Sequence, residues 1–210
     1  MYQEIEEKLN ASNLINFLPY VGPKYLETKN KILVLGESHY GAQKENTRRN
    51  FTRDVIEDDY LSAVSEGKRH PWIKCFRYTA AMITGKGYHE SDYIWEELAF
   101  YNFFQEVVGD NGHADKKFIT SELIEKSCKA FFETLSILNP KIVIVWGESK
   151  IYKEWLPTEN RIVLDADNYL FSFHNLPSTL IWSIRHPSLG FSYKEFNKDW
   201  ESIKTKYLVN

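Results

Sequence analysis

Only two cysteines, Cys75 and Cys128, occur among the 210 residues. They lie far apart without a C-x-x-C spacing, so the sequence contains neither a disulfide framework nor a redox pair of that type. Two thiolates are also too few for the four-cysteine ligand set of an ordinary iron–sulfur cluster. Cys128 falls on the apolar side of a predicted helix, which indicates a buried structural thiol. No cofactor is expected.

The sequence also lacks a long hydrophobic run, since no stretch approaches the roughly 18 consecutive apolar residues of a membrane span. The N-terminal MYQEIEEKLN is acidic and polar, unlike a secretory signal or a transit peptide. Repeats, low-complexity tracts and Pro/Gly/Ser linkers are missing as well. We therefore expect a soluble, cytoplasmic protein without a membrane partner, built as one domain over residues 1–210. Within it, residues 1–29 form a helical extension that packs on the rest, and a monomer is expected.

An excess of positive charge is absent too. Lys and Arg total 26 against 29 acidic residues, which gives a formal charge of −3. A protein that holds nucleic acid through bulk electrostatics is usually basic, so only a local patch could act in this way. Such a phosphate track could combine seven residues, or its residues could instead form a solvated helix face with Glu45 and Asp54 as partners. The seven are Lys44, Arg48, Arg49, Arg53, Lys68, Arg69 and Arg185.

Aromatic residues are abundant at 15%, and apolar runs alternate with amphipathic segments. Runs at 31–36, 141–147 and 179–184 are typical of buried strands, and short strands are expected near 161–164 and 169–173. In residues 94–104, aromatic enrichment favours a strand at Leu98–Phe103, but Glu96 and Glu97 permit a helical start. Helical spacing or capping signals predict helices over 2–18, 50–66, 71–85, 121–138 and 192–207. This alternation predicts an α/β fold: a three-layer α/β/α sandwich around a central, mostly parallel four-stranded sheet.

Three polar segments follow the predicted strands, namely Gly36–Gly41, Tyr101–Gln105 and Arg185–Ser188. In open α/β sheets the ligand site lies beyond the carboxyl ends of the strands, so the function is expected at these segments. Their residue types suit that expectation. Glycines let backbone approach a ligand, a buried amide requires hydrogen-bond partners, and a histidine at a strand end can exchange or donate a proton.

In this order, the three segments resemble motifs of the uracil-DNA glycosylase superfamily. Gly36-Glu37-Ser38-His39-Tyr40 is similar to a first loop that reads G-Q-D-P-Y-H or G-E-x-P-G in that family, and His186-Pro187-Ser188 is similar to its H-P-S motif. Tyr101-Asn102-Phe103-Phe104 resembles the segment whose asparagine reads the base. Phe51 lies thirteen residues after Ser38, a spacing similar to that of the aromatic residue that stacks on the extruded base.

The resemblance implies a uracil-DNA glycosylase-like fold and a DNA base-excision glycosylase that extrudes uracil or a related damaged base into its pocket. It implies DNA, single- or double-stranded, as the partner, or a free nucleotide or base. Glu37 would position the attacking water, and His186 would stabilise the negative charge on the leaving base. The implied base-binding residues are Tyr40, Phe51 and Asn102, and the implied phosphate-binding residues are Ser38, Ser188 and Arg185.

Two residues of the first loop depart from the family pattern. Ser38 stands where one form of the loop has aspartate, and His39 stands where both forms have proline. Glu37 matches the glutamate of the second form and is the remaining carboxylate. Branches with that form often carry an iron–sulfur cluster bound by four cysteines, whereas this chain has only two cysteines.

Other functions remain open from the residues. The same fold could be a catalytically inactive module that binds a nucleotide, a free base or a nucleic-acid end. A serine hydrolase would use Ser38 as nucleophile, His186 as base, and Asp165 or Asp167 as the orienting carboxylate, but Gly-x-Ser-x-x-Gly is not the nucleophile-elbow spacing. The six histidines contain no i, i+4 pair and no H-E-x-x-H motif, so no metal site is expected.

Overall fold

The computed structural model describes residues 2–40, 48–67, 72–109, 115–188 and 190–208. The strands are β1 (Tyr20–Val21), β2 (Ile32–Gly36), β3 (Leu98–Asn102), β4 (Ile142–Trp146), β5 (Arg161–Asp165), β6 (Leu170–Phe173) and β7 (Leu176–Ile184). The α-helices are α1 (Tyr2–Ala11), α2 (Phe51–Asp54), α3 (Ser62–Ser65), α4 (Ile73–Thr84), α5 (Ser121–Leu138) and α6 (Tyr193–Ile203). Segments with π-type hydrogen bonding span Val55–Leu61, which joins α2 to α3, and also Glu148–Trp155 and Lys204–Leu208. Short 3₁₀ turns lie at Tyr25–Glu27, Asp92–Glu96 and Lys116–Phe118.

The strands form one seven-stranded sheet in the order β1-β3-β2-β4-β7-β6-β5. Its centre, β3-β2-β4-β7, is parallel, while β1, β6 and β5 add to the two edges in antiparallel orientation. The predicted α/β class is confirmed, but the predicted four-stranded sheet is wrong in its strand number. The short strands near 161 and 170 belong to the same sheet, because β7 begins at Leu176 and is long enough to pair with β6.

Side chains alternate between two apolar layers along the buried strands. In β2, Leu33 and Leu35 pack with α1 and α5, whereas Ile32 and Val34 face the layer that contains α4, α6 and the helix from 51 to 65. Helices therefore cover both faces of the sheet. No helix in the described ranges is long and apolar enough to cross a lipid bilayer.

Most predicted helices agree with the structure to within a few residues, but the first one does not. The prediction of a helix over 2–18 is wrong after Ala11, because the Ser12 hydroxyl accepts hydrogen bonds from the amides of Leu14 and Ile15 (3.1 and 3.0 Å) and turns the chain. Helix α5 begins as predicted, with the Thr120 hydroxyl accepting from Leu123 N at 3.1 Å. It ends at Leu138 and is followed by Asn139, which adopts a left-handed conformation with φ of 46°.

Three arginines of the predicted phosphate track are held by contacts within the protein. Arg53 binds both carboxylate oxygens of Glu6 (2.9 and 2.7 Å) and the carbonyl of Pro19 (3.0 Å). Arg49 donates to the carbonyl of Leu9 at 3.1 Å, and Arg48 pairs with Asp54 at 3.0 Å, the partner expected for a solvated helix face. Arg49 and Arg53 thus hold α1 and the segment after it against the start of the 51–65 helix. Lys44, Lys68 and Arg69 lie outside the described residues.

We expect Arg53→Ala to lower the free energy of unfolding by about 1–2 kcal/mol, because a two-fold, partly buried carboxylate contact is lost. The same variant should leave the affinity for DNA unchanged. Urea unfolding and a DNA-binding titration check the two halves of this prediction. Lys8→Ala is the control, since its pair with Glu4 is exposed and should add no measurable stability. If a folded Arg53→Ala protein bound DNA more weakly, Arg53 would be part of the phosphate track.

Candidate functional site

A cavity of about 760 Å³ opens where the four parallel strands end. The register explains why distant segments meet there: Gly36 pairs with Asn102 across β2 and β3, and Trp146 pairs with Ile184 across β4 and β7. Six of the eight predicted site residues line the cavity, and Arg185 and Ser188 do not. The six are Glu37, Ser38, Tyr40, Phe51, Asn102 and His186.

The backbone after β2 is held by the backbone after β3. The amide of Phe103 donates to the carbonyl of Gly36 at 2.9 Å, and the amide of Phe104 donates to the carbonyl of Glu37 at 3.0 Å. These bonds continue the parallel pairing past the end of the sheet. They fix the backbone that carries Glu37 at the rim of the cavity, so the position of this carboxylate is set by β3 as well as by its own strand.

Gly36 is needed because two neighbours occupy the space of a side chain. A Cβ at this position would overlap Asn102 Oδ1 and would lie 2.9 Å from Phe100 Cζ. The amide of Asn102 therefore packs directly on the backbone of β2. The glycine of the first loop permits this close approach, which brings Asn102 beside the residues that follow β2.

We expect Gly36→Ala to lower the free energy of unfolding by about 1–3 kcal/mol, because the added methyl must displace Asn102 or Phe100 from a packed site. Any ligand contact of Asn102 should be lost with it. Gly87→Ala is the matched control, since a Cβ there meets Glu90 at an ordinary 3.4 Å. Urea unfolding of both variants checks this result, and equal stability of the two would contradict the tight approach at Gly36.

His39 is the most enclosed titratable residue of the cavity lining, with 5% exposure, and sequence reasoning noted it only as a replacement for proline. Its Nε2 lies 2.8 Å from Thr52 Oγ1 and 3.1 Å from Asn102 Nδ2. Its ring packs on Phe51, with centroids 4.3 Å apart and a 41° tilt, and meets Phe17 edge-on at 5.1 Å. Burial lowers the pKa of His39 to about 3, so the imidazole is neutral at pH 7.

Two of the predicted base-binding residues are therefore already in contact with a ring. The ring of Phe51 contacts the imidazole of His39, and Asn102 Nδ2 donates a hydrogen bond to His39 Nε2. Gln105 Nε2 also donates to the carbonyl of Asn102 at 2.9 Å, which orders this segment. The local sequence did not indicate these contacts of His39, because Thr52 and Asn102 are distant from it in the chain.

Tyr40 and Ser38 lie beside Glu37 on the cavity wall. Burial raises the pKa of the Tyr40 phenol, and the neighbouring Ser38 hydroxyl opposes that rise. The Ser38 oxygen is itself buried, and its contact to a phosphate stays a prediction. The orienting carboxylate predicted for a serine hydrolase is not at this site either. Asp165 lies on the edge strand β5 and accepts hydrogen bonds from Asn168. Neither Asp165 nor Asp167 lines the cavity.

His186 reaches the cavity from the end of β7, where its ring meets Trp146 edge-on with centroids 6.0 Å apart. His186 is exposed, and partial desolvation by the surrounding protein lowers its pKa below the ordinary value. A neutral imidazole at pH 7 follows. The amide of Ser188 donates to the carbonyl of His186 at 2.7 Å and closes a tight turn. Arg185 and Ser188 are exposed beside it.

Within the part of the chain that the structure describes, the ionic side chains that line the cavity are carboxylates. Its lining includes the carboxylates of Glu37, Asp58 and Asp59, and no Lys or Arg belongs to the described lining. Such a wall disfavours a phosphate inside the cavity and accepts a neutral or cationic group. The thiol of Cys75 also lines it, but burial raises its pKa to about 11, so it is not a thiolate at pH 7.

Metal and sequence comparisons add no further assignment. Among the described residues, no three or more His, Cys, Asp or Glu side chains are grouped as ligands for a metal ion. No protein-family model matches the chain, and no curated protein matches it in sequence. Function therefore has to be inferred from the cavity and its residues.

Proposed function

We propose that the protein is a base-excision DNA glycosylase that hydrolyses the N-glycosidic bond of uracil or a related damaged base. One observation carries the proposal. Glu37, Tyr40, Phe51, Asn102 and His186 come from four segments of the chain, yet all line a single cavity at the carboxyl ends of the parallel strands. A carboxylate, an amide, a histidine and two aromatic rings are the groups that such a reaction uses.

In the proposed reaction, the base enters the cavity and its glycosidic bond breaks with the electron pair moving onto the base. His186, neutral at pH 7, donates a hydrogen bond toward the oxygen where the negative charge develops. Glu37 orients a water molecule toward the sugar carbon and takes up its proton, while its charge stabilises the oxocarbenium-like sugar. The sign of the cavity wall supports this role, since Asp58 and Asp59 add to the negative field.

The remaining residues of the proposed site select the base. Phe51 offers a ring for stacking, worth on the order of 1–3 kcal/mol per base in single-strand binders. Asn102 presents an amide that can both donate and accept, which distinguishes uracil from cytosine. Tyr40 limits the room beside the base. Arg185 and Ser188 are exposed next to His186 but outside the cavity, where they can hold the phosphates that its acidic wall disfavours.

A second candidate is a binding module with the same fold that takes a base, a nucleotide or a nucleic-acid end without cleaving it. Serine at position 38 favours this candidate, because the uracil-DNA glycosylase superfamily has an aspartate there in one form of its first loop.

A base-release assay separates the two candidates. The protein is incubated with single- and double-stranded oligonucleotides that each contain uracil, xanthine or hypoxanthine, and abasic sites are cleaved and counted. Release of at least one base supports the glycosylase. If no base is released while calorimetry detects binding of the same bases or strands, the binding module is the better description. Absence of both release and binding would exclude both candidates for these ligands.

A further inference from the structure

A planar heteroaromatic ring supplied by the protein forms part of the cavity wall. We propose that the imidazole of His39 is an internal substitute for the base, which occupies the contacts of Phe51, Thr52 and Asn102 and must leave them when a base binds. This inference rests on the proposed function, because it takes Phe51 and Asn102 as the base-binding residues. It assigns to His39 the control of entry to that site.

The contacts of the imidazole are those that a nucleobase would need. The ring contacts Phe51, with centroids 4.3 Å apart and planes tilted by 41°, and its Nε2 lies 3.1 Å from an amide nitrogen and 2.8 Å from a hydroxyl oxygen. Both a pyrimidine and an imidazole are flat, with polar atoms only at the edge. The structure thus shows an aromatic contact and an edge contact to a heteroaromatic ring that the protein itself supplies.

Departure of His39 leaves polar groups that need a replacement. Thr52 is fully buried and Asn102 is 5% exposed, so the hydroxyl and the amide would both lose a partner in an apolar surrounding. A purely apolar ring cannot compensate for this loss. A ligand with hydrogen-bonding atoms on its edge can, which restricts the site to heterocycles such as uracil and excludes hydrocarbon rings of similar size.

The direction of exit follows from the packing. Phe17, which is 2% exposed, meets the imidazole edge-on at 5.1 Å, so this side of the ring is filled. His39 also lines the cavity of about 760 Å³, where a side chain of its size has room. Movement of His39 into the cavity would free the ring position, and the work of that movement weakens the apparent affinity of the site for a base.

Isothermal calorimetry with free uracil and with 2′-deoxyuridine at pH 7 tests this inference. His39→Ala should bind uracil about tenfold or more tightly than the unaltered protein, because the competitor for Phe51 and Asn102 is gone. His39→Ala combined with Asn102→Ala should lose that gain. His174→Ala is the matched control, since His174 is exposed after β6 and does not line the cavity; its affinity should not change. Equal or weaker binding by folded His39→Ala, or no binding by either protein, would overturn the proposal.

A measurement on the unaltered protein does not depend on the variant folding. With ¹⁵N-labelled histidine, the Nε2 resonance of His39 should shift on addition of uracil, whereas that of His174 should stay in place. If the His39 resonance does not shift at saturating uracil, the proposal that a base replaces the imidazole is wrong. The two proposals fail separately. Base release with unchanged affinity in His39→Ala would remove only the role of His39, and tighter binding without release would remove only the glycosylase.

Discussion

Glu37→Gln lowers the rate of base release by a factor on the order of 10² to 10⁴, if Glu37 positions water as we propose. Glutamine has nearly the same shape and keeps a hydrogen-bonding oxygen. It cannot take up a proton, and it carries no charge to stabilise the sugar. Single-turnover release from a uracil-containing oligonucleotide measures the chemical step, and circular dichroism of the variant verifies that it is folded.

The matched control is Asp58→Asn, which removes a carboxylate from the same cavity wall without touching the proposed water position. We expect a change of less than about threefold, as for a residue that acts only through the field. His186→Ala should slow release by a factor on the order of 10² to 10³, the effect of losing one donor at a developing negative charge. A Glu37→Gln protein that keeps its rate within threefold would assign the water to another group.

The second large effect concerns stability in acid. The pKa of His39 is about 3 in the folded protein and near its ordinary 6.5 in the unfolded chain. The unfolded chain therefore binds more protons between these values, and stability is lost as the pH falls from about 6.5 toward 3. The free energy of unfolding should decrease by about 1.4 kcal/mol per pH unit within this window. His186, whose pKa is also lowered, contributes in the same direction.

Urea unfolding at pH 7.5, 6 and 5 measures this slope. His39→Gln should flatten it, because the amide can still meet Thr52 and Asn102 but does not titrate. His174→Ala provides the control, since His174 is exposed and should keep the slope of the unaltered protein. A slope that is the same with and without His39 would show that the imidazole is accessible to protons in the folded state.

The centre of the sheet could be predicted from the sequence because its strands are buried on both faces. Such strands appear as continuous apolar runs, and β2, β4 and the inner half of β7 follow that pattern. The edge strands carry a weaker signal. β1 has two residues, and β5 is half-exposed along its length, so their membership in the sheet depends on pairing rather than on composition.

The candidate site was predictable to the extent that it follows strand ends. Glu37, Asn102 and His186 come directly at or after such ends, and parallel strands bring their carboxyl ends to one side of a sheet. The role of His39 was not predictable, since its partners Thr52 and Asn102 lie 13 and 63 residues away. The ion pair of Arg53 with Glu6 likewise depends on tertiary packing, and the pattern of charges in the sequence does not predict it.

The helical wall of the cavity has an unusual pitch. Between α2 and α3 the chain runs through Val55–Leu61 with π-type hydrogen bonds, so each turn takes in one residue more than an α-helix would. Such a turn absorbs one extra residue while the α-turns on either side keep their facing. Deleting one residue there should therefore restore regular α-turns and leave Ser62 and Ala63 on the cavity wall that they now line. A deletion from a regular α-helix would instead rotate everything beyond it by roughly 100°. This wall thus has one spare residue of chain length, whose loss changes the hydrogen bonding of one turn and not the residues that face the cavity.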